Sequence, residues 1–174
     1  MKIAVLGSGA WGTALAMLLQ KNGHEVSLWS YCEEESNTLR ERGENRMLPG
    51  VPLPKGLALT HREDIVAGCE LVVFAPPSYA MRQTAQRVKP YLTPGTVLVT
   101  VAKGVEPESG LRGFYAQPDG SARIMVLHGD MGSRESRYRP LTPEEIAATV
   151  LDYLALGHVH APAAMNRAGS TVWA

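Results

Sequence analysis

The stretch Lys2-Ile3-Ala4-Val5-Leu6-Gly7-Ser8-Gly9-Ala10-Trp11-Gly12-Thr13 decides the fold. Lys2 to Leu6 reads as a buried strand, and glycines at positions 7, 9 and 12 follow it directly, ahead of the apolar run 13–19. Strand, G-x-G-x-x-G and helix in that succession are the pattern of a turn that holds a pyrophosphate. Small residues are needed there because the chain must turn tightly and let an anion reach backbone N–H groups at a helix N-terminus. The last glycine lets helix and strand pack closely. Gly7, Ser8, Gly9, Ala10, Trp11 and Gly12 are therefore the candidate nucleotide-binding residues, with an alternative for Trp11 as a core aromatic pinning the helix.

Working outward, the helix runs over residues 10–22 and ends at Gly23, a residue type favoured just past a helix C-terminus. Residues 25–30 alternate polar with apolar and form strand two, so the first 30 residues make a βαβ unit. Residues 33–42 are charged and helix-compatible, and the proline-bearing segment 47–54 is an irregular loop. Residues 57–60 make a short strand and 63–68 a short helix. The continuous apolar run 70–75 is a strand of the doubly buried, parallel kind. After Pro76-Pro77, Ser78 caps a helix to about residue 89, and 96–102 is another buried strand ending at Lys103-Gly104. Further strands are expected at 123–127, 153–157 and 170–174, with a helix from Thr142 to about residue 150, capped by that threonine and carrying proline at its first position. Alternating β and α elements predict a Rossmann-like α/β fold, a doubly wound and mostly parallel sheet in a single domain.

Composition narrows the function classes. The chain has 174 residues, with 17 basic and 17 acidic side chains for a net charge of zero, so no long-range field draws it to nucleic acid or membrane. Cys32 and Cys69 alone make no disulfide framework. No secretory leader is read, because Met1 leads straight into a strand, and no apolar stretch reaches the roughly 20 residues of a membrane span. The expectation is a soluble, cytoplasmic protein. Composition says nothing of its oligomeric state.

Residues 1 to about 110 resemble the N-terminal part of NAD(P)-dependent glycerol-3-phosphate dehydrogenase. The likeness rests on Gly7-Ser8-Gly9-Ala10-Trp11-Gly12-Thr13-Ala14-Leu15-Ala16, Asn22-Gly23-His24-Glu25-Val26 with Leu28-Trp29, the loop 45–54, Ala75-Pro76-Pro77-Ser78 and Ala102-Lys103-Gly104-Val105-Glu106. The resemblance implies NAD or NADP as cofactor, Ala10 and Trp11 on its pyrophosphate side, and Tyr31 near the adenosine ribose. It also implies Lys103 as the catalytic-site cation directed to nicotinamide and substrate phosphate, and a small phosphorylated molecule as substrate. Two departures stand out. Ser30-Tyr31-Cys32 replaces the acid that closes strand two in many NAD folds, and no arginine takes its place, so NAD against NADP stays open. The family's helical second domain is not found, which predicts a chain incomplete for catalysis.

Residues 123–174 resemble a different family, the C-terminal part of a calcineurin-like metallophosphoesterase of DNA-repair exonuclease type. This rests on Ile124 to Gly129, Tyr138-Arg139-Pro140-Leu141 and the ending Gly157-His158-Val159-His160. The resemblance implies His128, His158 and His160 as ligands of divalent metal such as manganese. The carboxylates that a two-metal centre also needs are not matched in residues 1–122. The reading is thus a dinucleotide-binding segment, residues 1–110, joined to an additional α/β segment, 111–174, that completes the sheet. Three functions follow: a nucleotide-binding dehydrogenase domain first, a metal-dependent phosphoesterase fragment second, and a non-catalytic fusion or recombinant α/β chain third.

Overall fold

The computed structural model describes residues 1–102, 124–127, 141–148, 153–156, 164–165 and 171–173. They fall into two compact units, Met1–Pro76 with Ala80–Val99, and Pro77–Tyr79 with Thr100–Ala174.

The first unit is built on β1 (Lys2–Leu6), α1 (Ala10–Lys21), β2 (Glu25–Trp29), α2 (Glu33–Arg42), β3 (Ala58–Thr60), β4 (Leu71–Phe74), α3 (Met81–Val88) and β5 (Val97–Thr100). The sheet order is β3-β2-β1-β4-β5, and β1 pairs in parallel with both β2 and β4. The chain therefore winds outward from β1 to β3 on one side, then returns to the other side of β1 as β4. That reversal is a topological switch point, and α/β sheets bind ligands outside the strand C-termini at such points.

Register explains the core. Ala4 lies opposite Val72, and Leu6 lies between Trp29 and Phe74. Side chains alternate across a strand, so these share one face, where they cluster with Val66, Cys69 and Val88. Ile3, Val5 and Leu28 belong to the other face and are also buried. Both faces of β1 are covered, as its unbroken apolar run predicts. Burial pushes the Cys69 thiol above its usual range.

In the first unit, element positions follow the sequence reading closely, with three differences. The helix expected from Ser78 is a 3-10 turn, Ser78–Ala80, leading into α3. The α3 N-cap is Ala80, and no side chain caps it. Segment 63–68 is likewise a 3-10 turn, Glu63–Val66. The strand expected to be buried at 96–102 is shorter, and Val97 and Leu98 are about half exposed. An apolar run reports strand propensity, and β5 lies at the end of its sheet, where that propensity no longer guarantees cover.

The second unit contains β6 (Ile124–Leu127), α4 (Pro143–Ala147), β7 (Tyr153–Leu156), β8 (Ala164–Met165) and β9 (Thr171–Trp173). Its four-stranded sheet runs β6-β7-β9-β8, with β8 antiparallel to β9. Whereas the sequence reading has strand 123–127 completing the first sheet, β6 pairs with β7 in this separate one. The start of α4 is as expected: the Thr142 hydroxyl accepts from the Glu145 amide, the Glu145 carboxylate accepts from the Thr142 amide, both at 3.1 Å, and Pro143 stands at the first helical position.

Candidate functional site

The glycine turn leaves β1 at the switch point, and its three glycines answer three different constraints. Gly7 has φ +117°, a backbone conformation that penalises any side chain, and a Cβ there would lie 2.8 Å from the Ala75 carbonyl carbon and oxygen. Ala75 follows β4, so the turn is pressed against the neighbouring strand's exit. The Gly7 amide donates to the Trp29 carbonyl, and the Ala75 amide donates to the Leu6 carbonyl. A Cβ on Gly12 would meet the Gly7 carbonyl oxygen at 1.9 Å. Helix and turn are in direct backbone contact there. Gly9 alone faces open space, with no atom within 4 Å of a Cβ built on it.

Gly9 is also the N-cap of α1, in extended conformation and with no side chain capping the helix. No acidic residue occupies the first turn of α1. Uncapped amides at a helix N-terminus, beside a glycine that leaves room above the backbone, suit a bound anion. The Ser8 hydroxyl is buried at this turn without a hydrogen-bond partner. A buried hydroxyl left in that state is a group that a bound ligand or water satisfies. The donor set and the space fit a dinucleotide's pyrophosphate.

Trp11 is 56% exposed, which rules out its alternative role as a core aromatic. It stands at the second position of α1, beside the open face of Gly9.

Asn45, in the loop after α2, is a residue that sequence reasoning did not assign to the site. Its side-chain amide donates to the Ser8 carbonyl at 2.8 Å and to the Thr13 hydroxyl at 2.7 Å. Its side-chain oxygen accepts from the Met47 amide at 2.9 Å. Asn45 and Thr13 are both buried, so this network ties a distant loop to the turn in a low-dielectric setting where hydrogen bonds hold geometry firmly. The signal available in sequence was Asn45 at the head of a proline-rich loop.

At the C-terminal end of β2, Tyr31 is about half exposed and meets Trp29 edge to face, ring centroids 6.2 Å apart. The Arg87 guanidinium, from α3, lies 5.1 Å from the Trp29 ring centroid and 4.7 Å from that of Tyr31. It also donates to the Tyr31 carbonyl at 3.1 Å and, through two nitrogens, to one carboxylate oxygen of Glu63. Hydrogen bonds from Arg87 hold the Glu63 carboxyl below its usual range. Trp29 donates its indole N–H to the His61 carbonyl at 3.0 Å, which fixes the ring beneath this assembly. Nearby, Arg62 is paired with Asp64.

Lys103, His128, His158 and His160 lie outside the described residues. Among the described residues, no group of three or more histidine, cysteine or acidic side chains could hold a metal ion. No helix among them is long and apolar enough to cross a membrane.

Comparison with known proteins gives a consistent result. Residues 2–129 match the family model described as NAD-dependent glycerol-3-phosphate dehydrogenase N-terminus. That match runs past the junction expected between residues 110 and 123 and takes in β6 and His128. The glycerol-3-phosphate dehydrogenase [NAD(P)+] of Moorella thermoacetica is 45% identical over 136 residues, which cover 76% of this chain and 41% of that protein. The chain thus spans about two fifths of the length of that relative. Among solved structures, glycerol-3-phosphate dehydrogenase from Coxiella burnetii superposes with a TM-score of 0.58 at 35% identity, covering 63% of this chain and 34% of that one. The Saccharomyces cerevisiae enzyme of the same name has a TM-score of 0.56 at 20% identity, covers 85% of this chain and 53% of its own, and supports the fold alone.

Proposed function

Because this chain belongs to the NAD-dependent glycerol-3-phosphate dehydrogenase family, whose N-terminal, cofactor-binding domain it carries, we propose that it serves hydride transfer between NAD(P)H and a three-carbon phosphate. The substrate pair is dihydroxyacetone phosphate and glycerol 3-phosphate. The cofactor supplies or accepts the hydride. The chain's own residues hold it: amides of Ala10, Trp11 and Gly12 receive the pyrophosphate above Gly9, and Tyr31 stands by the adenosine ribose. Lys103 is the substrate-phosphate cation of this reading, the role that the family resemblance of Ala102-Lys103-Gly104 implies. Residues 1 to about 110 form the dinucleotide-binding segment.

The observation that carries the reading is the contrast within the turn. Gly7 and Gly12 are glycine because protein atoms crowd them, and Gly9 is glycine where no protein atom does. A position kept small beside empty space and an uncapped helix end is explained by a ligand that comes close to the backbone.

Titration with NADH, followed by energy transfer from tryptophan to the reduced nicotinamide, tests this. Saturable transfer is expected. No signal change up to millimolar cofactor would overturn it. Parallel addition of manganese tests the phosphoesterase reading of His128, His158 and His160: metal-dependent cleavage of a chromogenic phosphodiester, lost in His158→Ala, would be needed to establish it.

A further inference from the structure

The three helices of the first unit meet solvent differently. Every exposed position of α2 is charged: Glu33, Glu34, Arg40, Glu41 and Arg42. The exposed positions of α3 are Arg82, Gln83 and Gln86. On α1 they are Trp11, Leu18 and Lys21, with Trp11 56% and Leu18 53% exposed. The buried side of α1 is Gly12, Thr13 and Ala16. At 3.6 residues per turn, the side turned away from it carries Trp11, Ala14, Leu15 and Leu18, the i, i+3, i+4, i+7 spacing of a stripe that belongs in a core. Ala14 and Leu15 are only partly buried. Lys21 is the sole charged residue of the helix. A helix that is apolar on all sides is ordinarily a buried one, and α1 is not buried within its own unit.

We propose that α1 pairs antiparallel with α1 of a second copy of this chain, about a two-fold axis at the level of residue 16, to form a weak homodimer. A two-fold contact needs a patch that complements itself. In this register Ala14 lies opposite Leu18, so a small side chain faces a large one and the two stripes interdigitate. Trp11 lies opposite Lys21, which brings the one charge of the helix to an exposed aromatic ring, a favourable seat for an ammonium. No charge is then buried without a partner. The two lysines stand at opposite ends of the pair, about 15 Å apart at 1.5 Å per residue, beyond the screening length of about 8 Å at physiological salt. A net charge of zero sets no long-range repulsion between copies. A strongly charged partner would find only Lys21 to pair with on this face. A helix of 12 residues is about 18 Å long, so the pair buries less than the roughly 800 Å² per partner of a standard stable interface, and the dimer depends on concentration. The inference does not depend on the cofactor-binding reading.

Sedimentation velocity of the full chain, from about 5 to about 500 µM, tests this. A reversible equilibrium is expected, monomer at the low end and mostly dimer at the high end. Leu18→Glu sets a carboxylate in the middle of the apolar stripe and should weaken the dimer at least about tenfold, as should Ala14→Lys. An equal mixture of the two variants should associate again, to within about tenfold of wild type, because the register puts the glutamate of one copy opposite the lysine of the other. That recovery also shows that both variants fold, and helix content by circular dichroism checks it directly. Monomer at every concentration would overturn the inference and leave the face to a different partner. Growth of species beyond the dimer, a dimer that Leu18→Glu does not weaken, or a mixture that stays monomeric would overturn it as well.

Discussion

The glycine turn supports a prediction in which stability and binding move in opposite directions. In Gly12→Ala, the new methyl would sit 1.9 Å from the Gly7 carbonyl oxygen, against an ordinary carbon–oxygen approach of roughly 3.3 Å. Helix α1 and the turn must separate by about 1.4 Å, or one of them must deform. Overpacking of that kind costs up to about 3 kcal/mol, and alanine returns about 1 kcal/mol as helix propensity, so a net loss near 2 kcal/mol is expected. For a chain of this size that lowers Tm by about 4–8 °C. Gly9→Asp meets the opposite situation. No atom lies within 4 Å of its Cβ, the backbone at φ −66° and ψ 176° is that of an ordinary N-cap, and aspartate is a better N-cap than glycine. Its stability should hold or rise by a few tenths of a kcal/mol. Its binding should vanish, because a carboxylate then occupies the anion's place at the helix end. Thermal melts and NADH titration on the same preparations read both quantities. A Gly12→Ala protein as stable as wild type would refute the packing argument, and a Gly9→Asp protein that binds NADH normally would refute the assignment of the open face to a ligand.

Two further outcomes follow from the polar contacts around the turn. Asn45→Ala removes hydrogen bonds to the Ser8 carbonyl, the Thr13 hydroxyl and the Met47 amide, and should cost about 1–3 kcal/mol in urea denaturation, with weakened cofactor affinity; a change under about 0.5 kcal/mol would mean that the loop does not brace the turn. The Glu63 carboxyl is held below its usual range by Arg87, so the pair's contribution to stability is fully present above the ordinary glutamate pKa of about 4.3 and is lost as pH falls through the lower, folded value. Glu63→Gln should therefore show a shallower acid-side decline in stability than wild type, and parallel declines would place the pH dependence elsewhere.

What was legible in the sequence was whatever a short-range pattern encodes. β1 and β4 are apolar on both faces, so their runs announce buried parallel strands, and Gly23 marks the break after α1, where φ turns positive. The Thr142–Glu145 capping box needs only a spacing of three residues. The exposure of Val97 and Leu98 depends on what lies over β5, and no local pattern carries that. Arg87 reaches Tyr31 across 56 residues of sequence, and Asn45 reaches Ser8 across 37. Nothing in the periodicity of α3 marks Arg87 as the partner of an aromatic pair at the end of β2. The sequence reading looked for an arginine at positions 30–32 and found none; the fold brings one to Tyr31 from another element and pairs it with Glu63.

The G-x-G-x-x-G turn is commonly treated as a local signature, yet only one of its glycines has a reason for being glycine that is free of the rest of the protein. Gly7 is fixed by Ala75 and Pro76, which arrive only after the chain has passed through β2 and β3 and returned as β4. Gly12 is fixed by the Gly7 carbonyl, hence by the angle at which α1 leaves the turn. The motif therefore reports the switch in strand order as well as an anion site, and the two meanings separate by mutation. Substitutions at Gly7 and Gly12 should act on folding wherever the sheet order β2-β1-β4 is kept, whether or not cofactor is bound. Substitutions at Gly9 should act on binding alone. A fold that keeps the first two constraints while filling the space above Gly9 would retain the architecture and lose the ligand, which is why fold similarity alone cannot assign function and the open face of Gly9 carries the argument.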